Sequence, residues 1–547
     1  MGRRGRGITG LSLIASAGLL GAYIGYPGMR KAHAATACTV ANNSDSGAGS
    51  LRACLADVNS AGGGTITFAE SSNGTIVLAS DLPAVTLTSS VTIIGNGASN
   101  TVIDGVTKYS GFYFDGAVAV VLSGLTIQNA SSDYGAAIRT RSGATLSVSD
   151  STFAFNNITN GDGGAIRSSG DATIANSTFT SNSTTGDADG GAIDTSSGNI
   201  TVTDSTFTSN TAGDHAGAIR TSSGDITVTD STFTGNTAVG DGGVLDTDDG
   251  NVTISDSTFT NSRSDDDGGV VDTGGGNVTV TRSTFTGNSA GDDGGVIGTR
   301  TGAISVTNST FTTNTADDQG GAIAVEGSDG SASVNFVTMV GNTSLGNSTT
   351  EKYLGAVDSD GDATVRNSIV YDNTGGDVRA GVLLSASFSL FTSTSSVYPS
   401  ESDSSLIFGE DPLLGALADN GGPTQTMMPG AGSPVLGAAN PAGAPSTDQR
   451  GFTRTTNGRA DMGAVERLGV PPAADPSQVP PSWHQAQGRE QREAVCPPGM
   501  APSWAEWPNE RTGGWTCEYT TWWDVNEGVG GGWVTTPGFR AGSMRGR

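Results

Sequence analysis

Residues 231–256 read STFTGNTAVGDGGVLDTDDGNVTISD, and residues 257–282 repeat them closely as STFTNSRSDDDGGVVDTGGGNVTVTR. The pattern extends in both directions. Aligned on phenylalanine, it places Phe153, Phe179, Phe207, Phe233, Phe259, Phe285 and Phe311 at intervals of 26 or 28 residues, with Met339 one unit later. Each unit carries three apolar spots: the Phe of STF, the pair closing GGAI or GGVL, and an alternating run such as Ile226-Thr227-Val228. These spots are short, rich in β-branched residues and bounded by Gly, Asp, Ser or Asn, which reads as three brief strands separated by turns. Burying one apolar side chain contributes about 1.5–3 kcal/mol, whereas ordering the backbone costs about 1–2 kcal/mol per residue. A unit with so few apolar side chains is therefore unstable alone. Stacked coaxially at the strand spacing of about 4.8 Å, each unit shares contacts and hydrogen bonds with two neighbours. The period thus predicts an all-β parallel β-helix with three strands per rung. A propeller blade would need about 40 residues or more and four strands.

Composition agrees with such an economical architecture. The chain has 547 residues, of which 35% are hydrophobic and 6% aromatic, with 83 glycines and a net charge of -27. Inside the coil the Phe residues should form a ladder. Three residues past each Phe or its equivalent stand Asn156, Asn182, Asn210, Asn236, Asn288, Asn314 and Asn342, with Ser262 breaking the series. An asparagine ladder at a turn is expected, in which the amides bond along the stack and Asn accepts the left-handed backbone.

The ends differ from the middle. Residues 1–37 carry Arg3, Arg4 and Arg6, an apolar run, and small-residue cleavage patterns ending at Ala34 and Ala37. They read as a secretory signal, with an uncleaved anchor as the alternative. The four cysteines fall into two local pairs, Cys38 with Cys54 and Cys496 with Cys517, which suits two disulfides in an exported chain or free buried thiols. The first rungs occupy 38–133, the repeats 134–345 and the last rungs 346–400. A distinct region follows at 401–467, then a Pro-rich, stiff linker at 468–495. Residues 496–547 form a small module. All seven tryptophans lie in the linker and this module, including Trp504, Trp507, Trp515, Trp522 and Trp523. They read either as the core of a disulfide-closed module or as exposed rings that stack on sugars.

The paired signatures Phe207-Thr208-Ser209-Asn210 and Gly163-Gly164-Ala165-Ile166 resemble the FxxN and GGAI repeats of polymorphic outer-membrane proteins. That resemblance implies a right-handed parallel β-helix acting as an adhesin. The segment TVANNSDSGAGSLRACLADVNSAGGGTITF is similar to the CSLREA-type opening of secreted β-helix proteins. Within it Leu51, Cys54, Leu55 and Val58 share one face of a cap helix behind Ser50, and Cys54 with Cys38 would tie the cap to the first strand. The run DPLLGALADNGGPTQTMMPGAGSPVLGAA, with DQRG at 448–451 and DMGAVE at 461–466, resembles the choice-of-anchor Q region of exported surface proteins. These families supply no catalytic residues.

One variable position follows each GGAI and reads Arg139, Arg167, Asp194, Arg220, Asp246, Asp272, Gly298, Ala324 down the stack. Alternation points it outward. Arg167, Asp194, Arg220 and Asp246 are therefore either a charge ladder between rungs or the wall of a glycan-binding groove. The turn before each GGAI is acidic, and Asp241, Asp266, Asp267, Asp292 and Asp293 are candidate Ca²⁺ ligands or a solvated edge. No other cofactor is implied. The span 135–345 has seven arginines and no lysine, which disfavours nucleic acid as a partner. Histidine chemistry has little to draw on, since the chain holds only His33, His215 and His484. The expected function is non-catalytic adhesion or binding to an extracellular polysaccharide, a host or a neighbouring surface, with no membrane span once the signal is removed. The alternatives are a polysaccharide lyase or glycoside hydrolase acting on an acidic polysaccharide, and a stalk that presents the Trp-rich module.

Overall fold

The computed structural model describes residues 36–133, 135–346, 354–400, 403–454 and 458–467, together with the backbone of two strands at 500–505 and 514–519. The chain divides into two units, 1–471 and 472–547.

The first unit is a parallel β-helix, as the period predicts. Face A is a sheet of fourteen strands that begins with β1 (Thr36–Val40) and β2 (Gly64–Phe68) and collects the alternating runs such as Ile226–Thr229. Face B, also fourteen strands, collects the Phe strands such as Thr232–Thr234, and face C, thirteen strands, collects the strands after Gly-Gly such as Ile219–Thr221. The three expected strands per rung are joined by a short fourth. Two-residue strands from Thr211–Ala212 to Thr343–Ser344 form a six-stranded sheet of their own.

Register follows the sequence period. Phe207 pairs with Phe179 and Phe233, and the column continues to Met339. The seven rings, from Phe153 to Phe311, stack at centroid separations of 4.6–5.0 Å and are fully buried. Ile, Val and Leu from faces A and C fill the rest of the core.

The asparagine ladder is present, with one correction. Except at Asn236, whose neighbour is Ser262, each amide bonds to the next, for example Asn182 Nδ2 to Asn210 Oδ1 at 2.9 Å and Asn288 Nδ2 to Asn314 Oδ1 at 3.0 Å. The left-handed residue is the one before each ladder Asn, such as Phe155 at φ 56° and Ser209 at φ 54°. The Asn itself uses its side chain to collect backbone groups: Asn210 Nδ2 donates to the Phe179 carbonyl oxygen at 3.1 Å. Between faces A and B a second left-handed column, Asp204, Asp230, Asp256 and their equivalents, turns the chain at φ 49–51°. Short polar side chains tolerate that conformation best.

The second glycine of each Gly-Gly is demanded by close approach of the coils. A Cβ on Gly243 would lie 2.3 Å from the carbonyl oxygen of Gly269.

The N-terminal end is closed by α1 (Leu51–Ala61). Ser50 Oγ accepts the Ala53 N–H at 3.2 Å, Gly62 ends the helix at φ 76°, and Leu51, Cys54, Leu55 and Val58 are fully buried. Cys38 and Cys54 form a disulfide with a Cα separation of 5.4 Å. That bond excludes the free-thiol reading for this pair.

Ile407–Phe408 supplies the last strand of face B, pairing with Leu390–Phe391, and residues beyond it run as a strap along the outer side of that face. Gln449 Nε2 donates to Thr284 Oγ1 at 2.8 Å, and Gln449 Oε1 accepts from Thr310 Oγ1 at 2.7 Å. Arg454 Nη2 donates to Asn308 Oδ1 at 2.7 Å, and its guanidinium sits 4.3 Å over the Phe336 ring. Burial lowers the Arg454 pKa to about 10. The outward threonines Thr284, Thr310 and Thr338 are buried beneath the strap, while Thr206 and Thr232 of the same column are exposed.

In the second unit, strands Met500–Ala505 and Gly514–Tyr519 pair antiparallel, with Trp504 opposite Trp515 and Cys517 opposite Pro502. The expected Cys496–Cys517 bond, Trp507, Trp522, Trp523, the linker and the signal segment up to residue 35 lie outside the described residues.

Candidate functional site

Face C carries a groove. Its floor is the column after Gly-Gly, and alternation puts these side chains outside the coil. Although alternation points them out of the coil, the floor acids are covered: Asp194, Asp246 and Asp272 are 2%, 5% and 7% exposed. Two banks cause this. The near bank is the residue before each Gly-Gly, running Asp162, Asp189, His215, Asp241, Asp267, Asp293 and Gln319. The far bank is the residue two after the floor position, such as Ser196, Ser222, Asp248, Arg300 and Glu326.

The near bank is a ladder in which each acceptor holds the next coil. Asp189 Oδ1 accepts the His215 N–H at 3.1 Å, His215 Nδ1 accepts the Asp241 N–H at 3.0 Å, and Asp241 Oδ1 accepts the Asp267 N–H at 3.1 Å. Because Nδ1 of His215 accepts, its proton sits on Nε2, facing Asp214 Oδ1 at 3.5 Å. Sequence spacing had grouped all turn acids together. The structure separates this bonded column from the exposed Asp266, whereas Asp292, also exposed, keeps a carboxylate oxygen within 4.8 Å of those of Asp293 and Asp318.

The predicted charge ladder forms in part. Arg167 Nη1 lies 3.1 Å from Asp194 Oδ2 and also pairs with Asp162. Arg220 Nε lies 3.1 Å from Asp246 Oδ1. The middle step from Asp194 to Arg220 is not made as a contact. Arg220 instead reaches both banks, with Asp189 Oδ2 at 3.1 Å and Asp248 Oδ1 at 3.3 Å. The reason is geometric: a guanidinium surrounded by three carboxylates satisfies its fork best by spanning the groove.

Above Asp246 the alternation of sign fails, since Asp246 pairs in register with Asp272 and no arginine intervenes. Desolvation dominates here and raises Asp246 to about 7 despite Arg220. It also raises Asp194 to about 6, and Asp293 and Glu326 to about 7. Asp272 rises well above the usual carboxylate range through burial and repulsion from Asp246, Asp241 and Asp267.

Two clefts lie along this groove. One, of about 560 Å³, is bordered by Arg139, Arg141, Arg167, Ser169 and Ser196. The other, of about 620 Å³, is bordered by His215, Asp241, Asp246, Asp248, Asp272 and Arg300. The first is basic and the second acidic. Of the predicted binding residues, Arg167 and Asp246 line the clefts, whereas Arg220 and Asp194 brace the coils. Spacing alone could not reveal the far bank, because Arg300 and Glu326 occupy a position filled elsewhere by Ser or Asp. Among the described residues no helix is long and apolar enough to cross a membrane.

Comparison with known proteins adds the following. A family model described as a right handed beta helix region matches residues 84–241 and 190–398. No curated protein matches the chain. Among solved structures, a mutant of the PL6-family alginate lyase AlyGC is 13% identical, with a TM-score of 0.41, and the match covers 81% of this chain and 60% of that chain. The chain therefore spans about three fifths of that lyase's length.

Proposed function

Starting from the chain's membership of the right-handed β-helix family, we propose that it is a secreted or cell-surface protein that holds an extracellular polysaccharide along face C without turning it over. The observation that carries this reading is the pair of polar clefts set in line on one face, bordered by Arg139, Arg141 and Arg167 at one end and by acids at the other. Small-molecule pockets are mostly apolar with a few polar groups. A long groove bordered almost wholly by charged and hydroxyl side chains suits a hydroxyl-rich polymer instead. The basic cleft would take a uronate or sulfate group, since arginine forks recognise such anions in two-point fashion.

Arg220 supports a non-catalytic role, because Asp189, Asp246 and Asp248 already occupy its donors. One observation favours a second reading, hydrolysis or lysis of the glycan. Carboxyl groups raised to about 7, as at Asp246 and Asp293, are the kind of proton donor that glycosidases use.

A panel of neutral and acidic polysaccharides, offered to the full chain and to an Arg139→Ala/Arg141→Ala variant, tests both. Binding of an acidic polysaccharide that weakens at least tenfold in the variant supports the proposal. Equal binding by both proteins refutes it, and release of reducing or unsaturated sugar establishes the second reading.

A further inference from the structure

Beyond Asp272 the groove floor loses its polar side chains, because the next two floor positions are Gly298 and Ala324. Into that space three carboxylates converge from three successive coils. Asp267 and Asp293 come from the near bank and Glu326 from the far bank, with one oxygen of each within 4.8 Å of the others. Their remaining bonds leave ligand atoms available. Asp267 Oδ1 accepts the Asp293 N–H at 2.9 Å and Asp293 Oδ1 accepts the Gln319 N–H at 2.7 Å, which leaves Oδ2 of each towards the cluster, where without a cation the Asp267 and Glu326 carboxyl groups share a hydrogen bond. Glu326 Oε1 is buried and has no hydrogen-bond partner among the described residues.

A second, independent feature points to the same space. Asp272 is 7% exposed and makes no hydrogen bond or ion pair among the described residues. Its Oδ1 lies 2.9 Å from where a Cβ on Gly298 would stand, and that same Cβ would lie 3.6 Å from Asp267 Cβ. The carboxylate therefore reaches upward beneath the cluster, through room that any larger residue at 298 would fill. Arg300 attracts Asp267 and Glu326 from the far bank without forming an ion pair. The contrast with the Asp189–Asp214–His215 cluster is instructive, since there Asp189 is neutralised by Arg220.

We propose that Asp267, Asp293 and Glu326, seated over Asp272, bind a Ca²⁺ ion that clamps three consecutive coils. Ca²⁺ takes six to eight oxygen ligands at 2.3–2.6 Å in flexible geometry, with water completing the shell. Three carboxylates drawn from three coils, with the Asp272 carboxylate below them adding negative charge, fit that demand better than the tight octahedron of Mg²⁺, and the absence of nitrogen and sulfur donors in this cluster argues against zinc. Sequence spacing placed Asp267 and Asp293 among the candidate ligands but not Glu326 or Asp272. The exposed Asp266 joins no such cluster, and Asp292 meets Asp293 only in a second, more exposed group with Asp318.

The proposal stands apart from glycan binding and is tested without any glycan. The full chain, stripped with EDTA, is titrated with CaCl₂ by calorimetry alongside Glu326→Gln, Asp293→Asn and the exposed control Asp249→Asn. The expected result is a saturable site in the wild type and the control, weakened at least tenfold in the other two. Absence of saturable Ca²⁺ uptake by the folded wild type, or equal affinity in Glu326→Gln, overturns the proposal. If a variant fails to fold, hydrogen exchange of the wild type decides. Ca²⁺ should slow exchange of the amides of Asp293 and Gln319, and protection confined to other segments overturns the assignment.

Discussion

Replacing Ser262 by asparagine should stabilise the protein. In the ladder, each Asn Oδ1 accepts both the backbone N–H and the Nδ2 of the preceding Asn, as Asn210 Oδ1 does from Asn182 at 3.0 and 2.9 Å. Each Nδ2 also reaches back to a Phe carbonyl and forward to the next Oδ1. At Ser262 this chain is cut: Ser262 Oγ is buried without a partner, and Asn236 Nδ2 retains only its bond to the Phe207 carbonyl at 3.1 Å. An Asn here would accept twice from Asn236, donate to the Phe233 carbonyl and donate to Asn288 Oδ1, giving four hydrogen bonds by analogy with the intact steps. At about 0.5–1.5 kcal/mol net for each bond, less about 1 kcal/mol for freezing the side chain, the gain should be about 1–5 kcal/mol, with about 3 kcal/mol at the middle of the range. Urea unfolding followed by circular dichroism should show a higher midpoint at unchanged slope. Hydrogen exchange should show the Asn236 amide newly protected. An unchanged or lower midpoint, with the Asn236 amide still exchanging as before, would refute the view that the ladder is a continuous hydrogen-bonded column.

Two further outcomes are expected. The Cys38–Cys54 bond closes a separation of 16 residues over the capped end, so Cys54→Ser should cost about 3 kcal/mol, read as a lower melting temperature that reductant reproduces in the wild type. The groove acids predict a pH dependence of definite sign. Asp246, Asp293 and Glu326 are raised to about 7, and Asp194 to about 6, above their unfolded values. The folded state therefore holds protons that the unfolded chain releases, so the stability they contribute is present below about pH 4 and is lost as pH rises towards about 7. The melting temperature of Ca²⁺-free protein should be higher near pH 5 than near pH 8, and the reverse order would contradict the burial described for these groups.

The repeat was legible because its signal is positional. Phenylalanines 26 or 28 residues apart can all be equivalent only if the coils have matching circumference, so the ring ladder, the Asn ladder and the cap helix behind Ser50 could be placed before any coordinates. The groove was legible only in outline. Alternation tells on which side of a sheet Asp194 or Asp246 lies, but not that turns on both sides rise to cover it. Nor does spacing reveal partners: Arg220 prefers Asp189 of the preceding coil's bank to Asp194 on its own column. Glu326 follows a strand that reads Ile-Ala-Val, and nothing local in that segment signals its approach to Asp267 and Asp293. The strap was invisible for another reason. Its bonds join Gln449 and Arg454 to threonines and an asparagine that look identical to their exposed equivalents elsewhere in the repeat.

That strap changes how the rod should fail under load. A bare coil offers its last turn to be peeled away, one layer after another, like thread from a spool. Here residues 424–464 are fastened sideways to layers holding Arg282, Thr284, Asn308, Thr310 and Thr338, so tension entering from the C-terminal side meets those fastenings in shear before it reaches the final turn. In a pulling experiment the protein should therefore hold to a first, high rupture force and then unwind in small, regular steps.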